Sequence, residues 1–159
     1  MPRTAAGGGE AGDALSLHGT PSSESALQIA RAPDGAWSAR MTLAGMVAST
    51  LVDGHRAAEL GWRASESRIG SSPGGLRELM AFLSEHAAGW EDEETWLSRD
   101  GRLQLGFTHQ GGDSVLLSAV LRQSFPSGWV AYGKFELNAA TLTTFAEQVA
   151  GFLAVPTPG

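Results

Sequence analysis

From Leu27 onward, apolar and polar residues alternate. Trp37, Ala39, Met41 and Leu43 occupy every second position, with Ser38, Arg40 and Thr42 between them, which is the period of a half-buried strand. Leu27 to Ala32 reads as a short strand before it. Pro33-Asp34-Gly35 separates the two as a turn, because proline fixes φ and glycine accepts a positive one. A further apolar run covers Met46 to Val52 and stops at the turn pair Asp53-Gly54. Ala57 to Trp62 reads as another short strand, with Leu60 and Trp62 on one face.

The period then changes. Leu76, Leu79, Met80, Leu83, Ala87 and Trp90 recur at helical spacing and make one apolar stripe. Ser72 is the expected N-cap, Pro73 suits the first helical position and Gly89 the stop. Strand periodicity returns from Glu94 to Arg99, leading into Asp100-Gly101, the strongest hairpin signal in the chain. Leu103, Leu105 and Phe107 form one inward face. Gly111-Gly112-Asp113 turns the chain back into Val115, Leu117, Ala119 and Leu121. After Pro126-Ser127-Gly128 come Trp129, Ala131, Gly133, Phe135 and Leu137. Asn138 caps a last helix whose stripe is Leu142, Phe145, Ala146, Val149, Phe152 and Leu153, and Pro156 ends it.

Hairpins dominate and no strand–helix–strand alternation occurs. The expected class is therefore α+β: one antiparallel sheet of about six or seven strands with two amphipathic helices packed on it. Residues 1–25, rich in Gly, Ala, Ser and Pro, are expected to be a flexible tail, and residues 26–155 a single domain.

Composition narrows the functional classes. There is no cysteine, so disulfides, thiolate nucleophiles and cysteine-ligated metals are excluded. No apolar run is long enough to span a membrane and the N-terminus has no apolar export segment, so a cytoplasmic protein is expected. Eleven basic residues stand against 17 acidic ones, a formal charge of −6, and Lys134 is the sole lysine. The basic residues are scattered, which argues against nucleic acid as a partner and favours a basic protein.

Chemical motifs are thin. Gly7, Gly9 and Gly12 match a dinucleotide-binding expression but lack the preceding strand. Gly70-Ser71-Ser72-Pro73-Gly74 matches the nucleophile-elbow pattern, and Asp100 and His109 follow in triad order. An antiparallel sheet does not supply the parallel-strand setting that an elbow needs, and Ser72 as a helix cap explains the same residues. His18, His55, His86 and His109 share no metal-binding spacing, so no metal or cofactor is expected. The acidic run Glu91-Asp92-Glu93-Glu94 reads as a solvated connection. Its functional reading is an acidic partner-binding patch with Trp96 as an aromatic anchor.

Gly89-Trp90-Glu91, Trp96-Leu97-Ser98, Asp100-Gly101, Leu103-Gln104-Leu105, Val115-Leu116-Leu117 and Gly128-Trp129, closed by Leu142 to Leu153, resemble an uncharacterised family of small actinobacterial proteins. Their layout is also similar to that of WapI-type immunity proteins, cytoplasmic antitoxins that neutralise a toxin by binding it. The resemblance spans Arg40 to Leu153 and brings no catalytic residues. The leading expectation is a non-catalytic protein-binding module, with toxin neutralisation as the role the resemblance implies. Two alternatives stay open. One is a small-molecule-binding domain or minor enzyme with a pocket between sheet and helices, using the room left by Gly106 and Gly133. The other is a structural subunit of a larger assembly, marked by an exposed apolar patch or bare sheet edge.

Overall fold

The computed structural model describes residues 14–18, 25–32, 36–43, 45–54, 56–63, 74–123 and 128–154. Two antiparallel meanders account for its strands. The first runs β1 (Ala14–His18), β2 (Ala26–Arg31), β3 (Trp37–Leu43) and β4 (Met46–Val52), neighbours in space as in sequence. The second runs β5 (Trp62–Arg63), β6 (Glu93–Leu97), β7 (Leu103–Gly111), β8 (Ser114–Arg122) and β9 (Val130–Asn138). Helix α1 (Leu76–Glu85) lies between β5 and β6 in the chain, and α2 (Ala139–Ala154) follows β9.

The class is α+β, as the patterning implies, but the single sheet of six or seven strands is corrected to two sheets of four and five. The break falls after β4. Instead of a strand over Ala57 to Trp62, the chain turns, with the amides of Ala57 and Leu60 donating to the carbonyls of Gly54 and Arg56. Leu60 is exposed as a result, and only Trp62–Arg63 extends. That short strand pairs with β6, far ahead in sequence, so the second sheet starts afresh.

The expectation of a flexible tail over residues 1–25 does not hold for residues 14–18. Residues Ala14–His18 form an edge strand, with Leu15 opposite Ile29 and Leu17 opposite Leu27. Two leucines at alternate positions give it one buried face, although the glycine-rich flanks suggest disorder.

The core lies between the meanders, where β3 and β4 lie against β9 and β8. Trp37 stacks on Trp96 with centroids 5.9 Å apart and meets Phe152 edge-on at 5.1 Å. Helix α2 packs on β1, β8 and β9, burying Leu142, Phe145, Ala146, Val149 and Phe152. Helix α1 packs on α2, β5 and β6 through Leu76, Leu79, Met80 and Leu83. The last turn of α2 carries unpaired carbonyls and the negative end of the helix dipole, and Arg31 meets both. Its guanidinium donates to the Phe152 carbonyl and sits 4.7 Å from the centre of the Phe152 ring.

The helix starts differ in how well the sequence marks them. Asn138 caps α2 as expected, its Oδ1 accepting from the Thr141 amide at 2.8 Å. Helix α1 starts three residues later than Pro73, and its N-cap is Gly75 rather than Ser72, which lies outside the described residues. The Gly75 amide donates to the Glu78 carboxylate at 2.8 Å. A Cβ at Gly75 would collide with the Ala57 carbonyl, so close approach selects glycine over a hydroxyl cap.

Candidate interaction surface

Strand alternation divides the acidic run. Glu91 and Asp92 are exposed in the turn before β6, Asp92 with a φ of 65°. Glu93 opens the strand on its outer face and leans over Gly106, where a Cβ would strike its carboxylate. Glu94 points the other way and is fully buried, its Oε1 accepting from Trp62 Nε1 at 2.9 Å. Trp96, two residues on, shares that inward face and donates from Nε1 to the Leu60 carbonyl at 3.0 Å. The expected patch of Glu91, Asp92, Glu93, Glu94 and Trp96 is therefore corrected. Its two inward members belong to the core, because β6 begins at Glu93 and its side chains alternate from there.

Other groups capable of chemistry are engaged in the framework. The Gly111 amide donates to Nδ1 of His109 at 3.0 Å, and the opposite nitrogen, Nε2, lies 3.1 Å from the Ala87 carbonyl. An amide can only donate and a carbonyl only accept, so the ring carries its proton on Nε2. Nδ1 of His86 donates to the Phe82 carbonyl at 2.9 Å, and its ring stacks on Phe82. Asp100 accepts from the Ser98 hydroxyl at 2.8 Å and from the Arg102 amide at 3.1 Å through Oδ1. Its Oδ2 accepts from the Asp53 amide at 2.8 Å. One carboxylate thus ties the β6–β7 turn to the end of β4.

The triad order noted in the sequence is not assembled. Asp100 precedes β7 and His109 lies near its far end, about 20 Å along an extended chain. Ser72, His55 and the Gly7–Gly12 motif lie outside the described residues. Among the described residues no group of three His, Asp or Glu side chains is placed to hold a metal. No helix among them is long and apolar enough to cross a membrane.

The room left by the two strand glycines is taken by neighbours. Glu93 covers Gly106, and Met41 and Leu43 pack into the notch at Gly133, where a Cβ would lie 2.8 Å from Met41 Sδ. A groove of about 240 Å³ lies between the two helices. Met80, Ala81 and Ser84 of α1 face Ala146 and Ala150 of α2 across it, with Arg77 and Glu147 as its charged members.

The framework also leaves several large apolar side chains uncovered. Met46, Val47 and Leu51 of β4 are 77%, 54% and 54% exposed, and Trp129, Val130 and Tyr132 are exposed at and beside the start of β9. Strand β4 is an edge: β3 pairs with one side, and no described strand pairs with the other. Val52 faces the core with Ala48 and Thr50 half-buried beside it, while Val47, Ser49 and Leu51 face outward. The strand holds no charge, no proline and no bulge, the devices by which proteins usually protect such edges. Its end is held firmly, since Arg102 donates to the Leu51 carbonyl at 3.2 Å and Asp100 holds Asp53.

Sequence reasoning places an apolar run at Met46 to Val52 without revealing this edge. The available signal is the failure of strict alternation, since Met46 and Val47 are adjacent apolar residues with opposite orientations.

A family model described as a family of unknown function (DUF6228) matches residues 46–156, from the first residue of β4 to just past α2. No curated protein and no solved structure matches the chain.

Proposed function

The chain belongs to the DUF6228 family, a family of unknown function, and we propose from its surface that it is a non-catalytic protein-binding module that takes its partner by strand addition at β4. The observation that carries this reading is the β4 edge, whose own residues are uncharged, with Met46, Val47 and Leu51 exposed and only the Leu51 carbonyl at its far end taken up by Arg102. An ordered edge offers backbone donors and acceptors at little entropic cost, and side chains at alternate positions add specificity. The occupant is an extended, mainly apolar protein segment. The structural engagement of Glu94, Asp100 and His109 supports a binding role over catalysis. The net charge of −6 supports a basic protein beyond the strand itself, with Glu91 and Asp92 as the exposed acids on the β6 side. The similarity of layout to WapI-type immunity proteins supports a toxin as that protein.

Site-specific photocrosslinking in the native host tests the reading. A crosslinker at position 51 should capture a protein, and the adduct should vanish when Val47 is changed to Lys. A crosslinker at Thr143, exposed on α2, should not give the same adduct. Identical adducts at both positions, or none at position 51, would overturn strand addition.

A further inference from the structure

We infer that what β4 receives is the free C-terminus of its partner, laid parallel to the strand with its terminal carboxylate on the Arg102 guanidinium. The inference rests on the strand-addition reading and names the part of the partner that is taken. Only two residues join β3 to β4, with Leu43 opposite Met46. In such a hairpin the pair flanking the turn is hydrogen-bonded. Alternation along the ladder then points the amides and carbonyls of Val47, Ser49 and Leu51 away from β3. One of these groups is already engaged, because the Leu51 carbonyl accepts from the Arg102 guanidinium at 3.2 Å. An added strand can use the row from Val47 to the Leu51 amide and must stop there.

That stop sets the direction and the end of the added strand. An antiparallel strand would aim a backbone amide at the Leu51 carbonyl, against the guanidinium that occupies it. A parallel strand gives a carbonyl to the Leu51 amide, and only its amide two residues later would seek the Leu51 carbonyl. A chain that ends one residue after that carbonyl has no such amide. It presents a carboxylate there instead, beside a guanidinium that makes one hydrogen bond and no ion pair among the described residues.

Charge selects the same end. Arg99 and Arg102 flank the β6–β7 turn, and Arg122 lies beside Arg102, its amide donating to the Arg102 carbonyl at 2.9 Å. The acids of this corner are Asp53 and Asp100, and both oxygens of Asp100 are spent on the Ser98 hydroxyl and the amides of Arg102 and Asp53. Three arginines against two acids leave the end of β4 positive on a chain of charge −6, while β4 itself adds no charge. A basic protein can still be the partner. Its terminal carboxylate goes to Arg102, and Glu91 and Asp92, before the other end of β6, remain for its cations. In a parallel ladder the last residue of the added strand lies beside Leu51 and the fourth before it beside Val47, both on the outward face. Those two should be apolar.

Random seven-residue peptides displayed with free C-termini test the inference. Selected binders should carry an apolar last residue and an apolar residue four before it. Such a peptide, labelled at its N-terminus and followed by fluorescence anisotropy, should lose about tenfold or more in affinity when its C-terminus is amidated. Arg102→Gln should bring the same loss and make amidation almost neutral, whereas Arg102→Lys should keep part of the preference for the acid. The comparison of acid with amide on the native chain needs no variant, so it decides the matter even if Arg102→Gln fails to fold. Equal binding of acid and amide, binders held by an acidic side chain in place of the terminus, or no binder at all would overturn the inference. In cells, the fragment crosslinked to position 51 should map to the last five residues of the captured protein. An internal fragment would overturn the C-terminal assignment and leave strand addition standing. No adduct at position 51 would bring down both.

Discussion

The indole N–H of Trp62 donates to Oε1 of Glu94 at 2.9 Å, and both side chains are buried. The carboxylate is therefore part of how β5 is held to β6, 32 positions away. Glu94→Ala removes the acceptor and leaves a void, and should cost about 2–4 kcal/mol in urea unfolding. Glu94→Gln keeps an acceptor and should cost roughly half as much. A loss of partner binding with unchanged stability would instead put Glu94 at a contact surface.

Strand β1 should be needed for stability. Leu15 and Leu17 are buried, and truncating a buried leucine costs about 2–5 kcal/mol. In a chain of this size each kcal/mol moves the melting temperature by about 2–4 °C. A chain beginning at Ser25 should therefore melt at least roughly 10 °C lower, as read by calorimetry. An unchanged melting temperature would mean that β1 adds nothing to the fold.

Asp100 should act as an inter-sheet tie. Asp100→Ala breaks its bonds to Ser98, Arg102 and Asp53 and should cost about 2–3 kcal/mol. Hydrogen exchange should rise selectively at the Asp53 and Arg102 amides. Uniform exchange across the chain would argue for global unfolding without a local tie.

His109 should hold a single tautomer. Nitrogen-15 NMR should show Nε2 protonated and Nδ1 as the acceptor in the neutral ring, because the Gly111 amide and Ala87 carbonyl admit no other arrangement. His109→Gln should disturb the Gly111 turn. The opposite tautomer in the spectrum would refute this geometry.

Local patterning is legible wherever pairing partners are close in the chain. The hairpins from Leu103 to Leu137 and the Asn138 cap follow directly from residue types, since each depends on neighbours a few positions away. Pairings without a short turn are not legible, which is why the Trp62–Trp96 bridge, and with it the second sheet, is hidden. The buried side of Glu94 and Trp96 depends on β6 starting at Glu93, and four consecutive acids conceal that start. Met46 to Val52 is recognisable as apolar, but its exposure depends on where the first meander ends. No residue within the run records that.

Arg31 and Phe152 stand 121 positions apart, and their contact sets an order on synthesis. The first meander is complete at Val52, so its hairpins can zip as the chain leaves the ribosome. Strand β1 and Trp37 then wait for α2, which ends at Ala154, before that face is covered. Closures over such long separations are slow, and unpaired edges are vulnerable meanwhile. On a polysome, neighbouring nascent chains would share that interval with β4 already extended and uncharged. The interval between emergence of β4 and docking of α2 is when pairing between chains competes most strongly with folding within one.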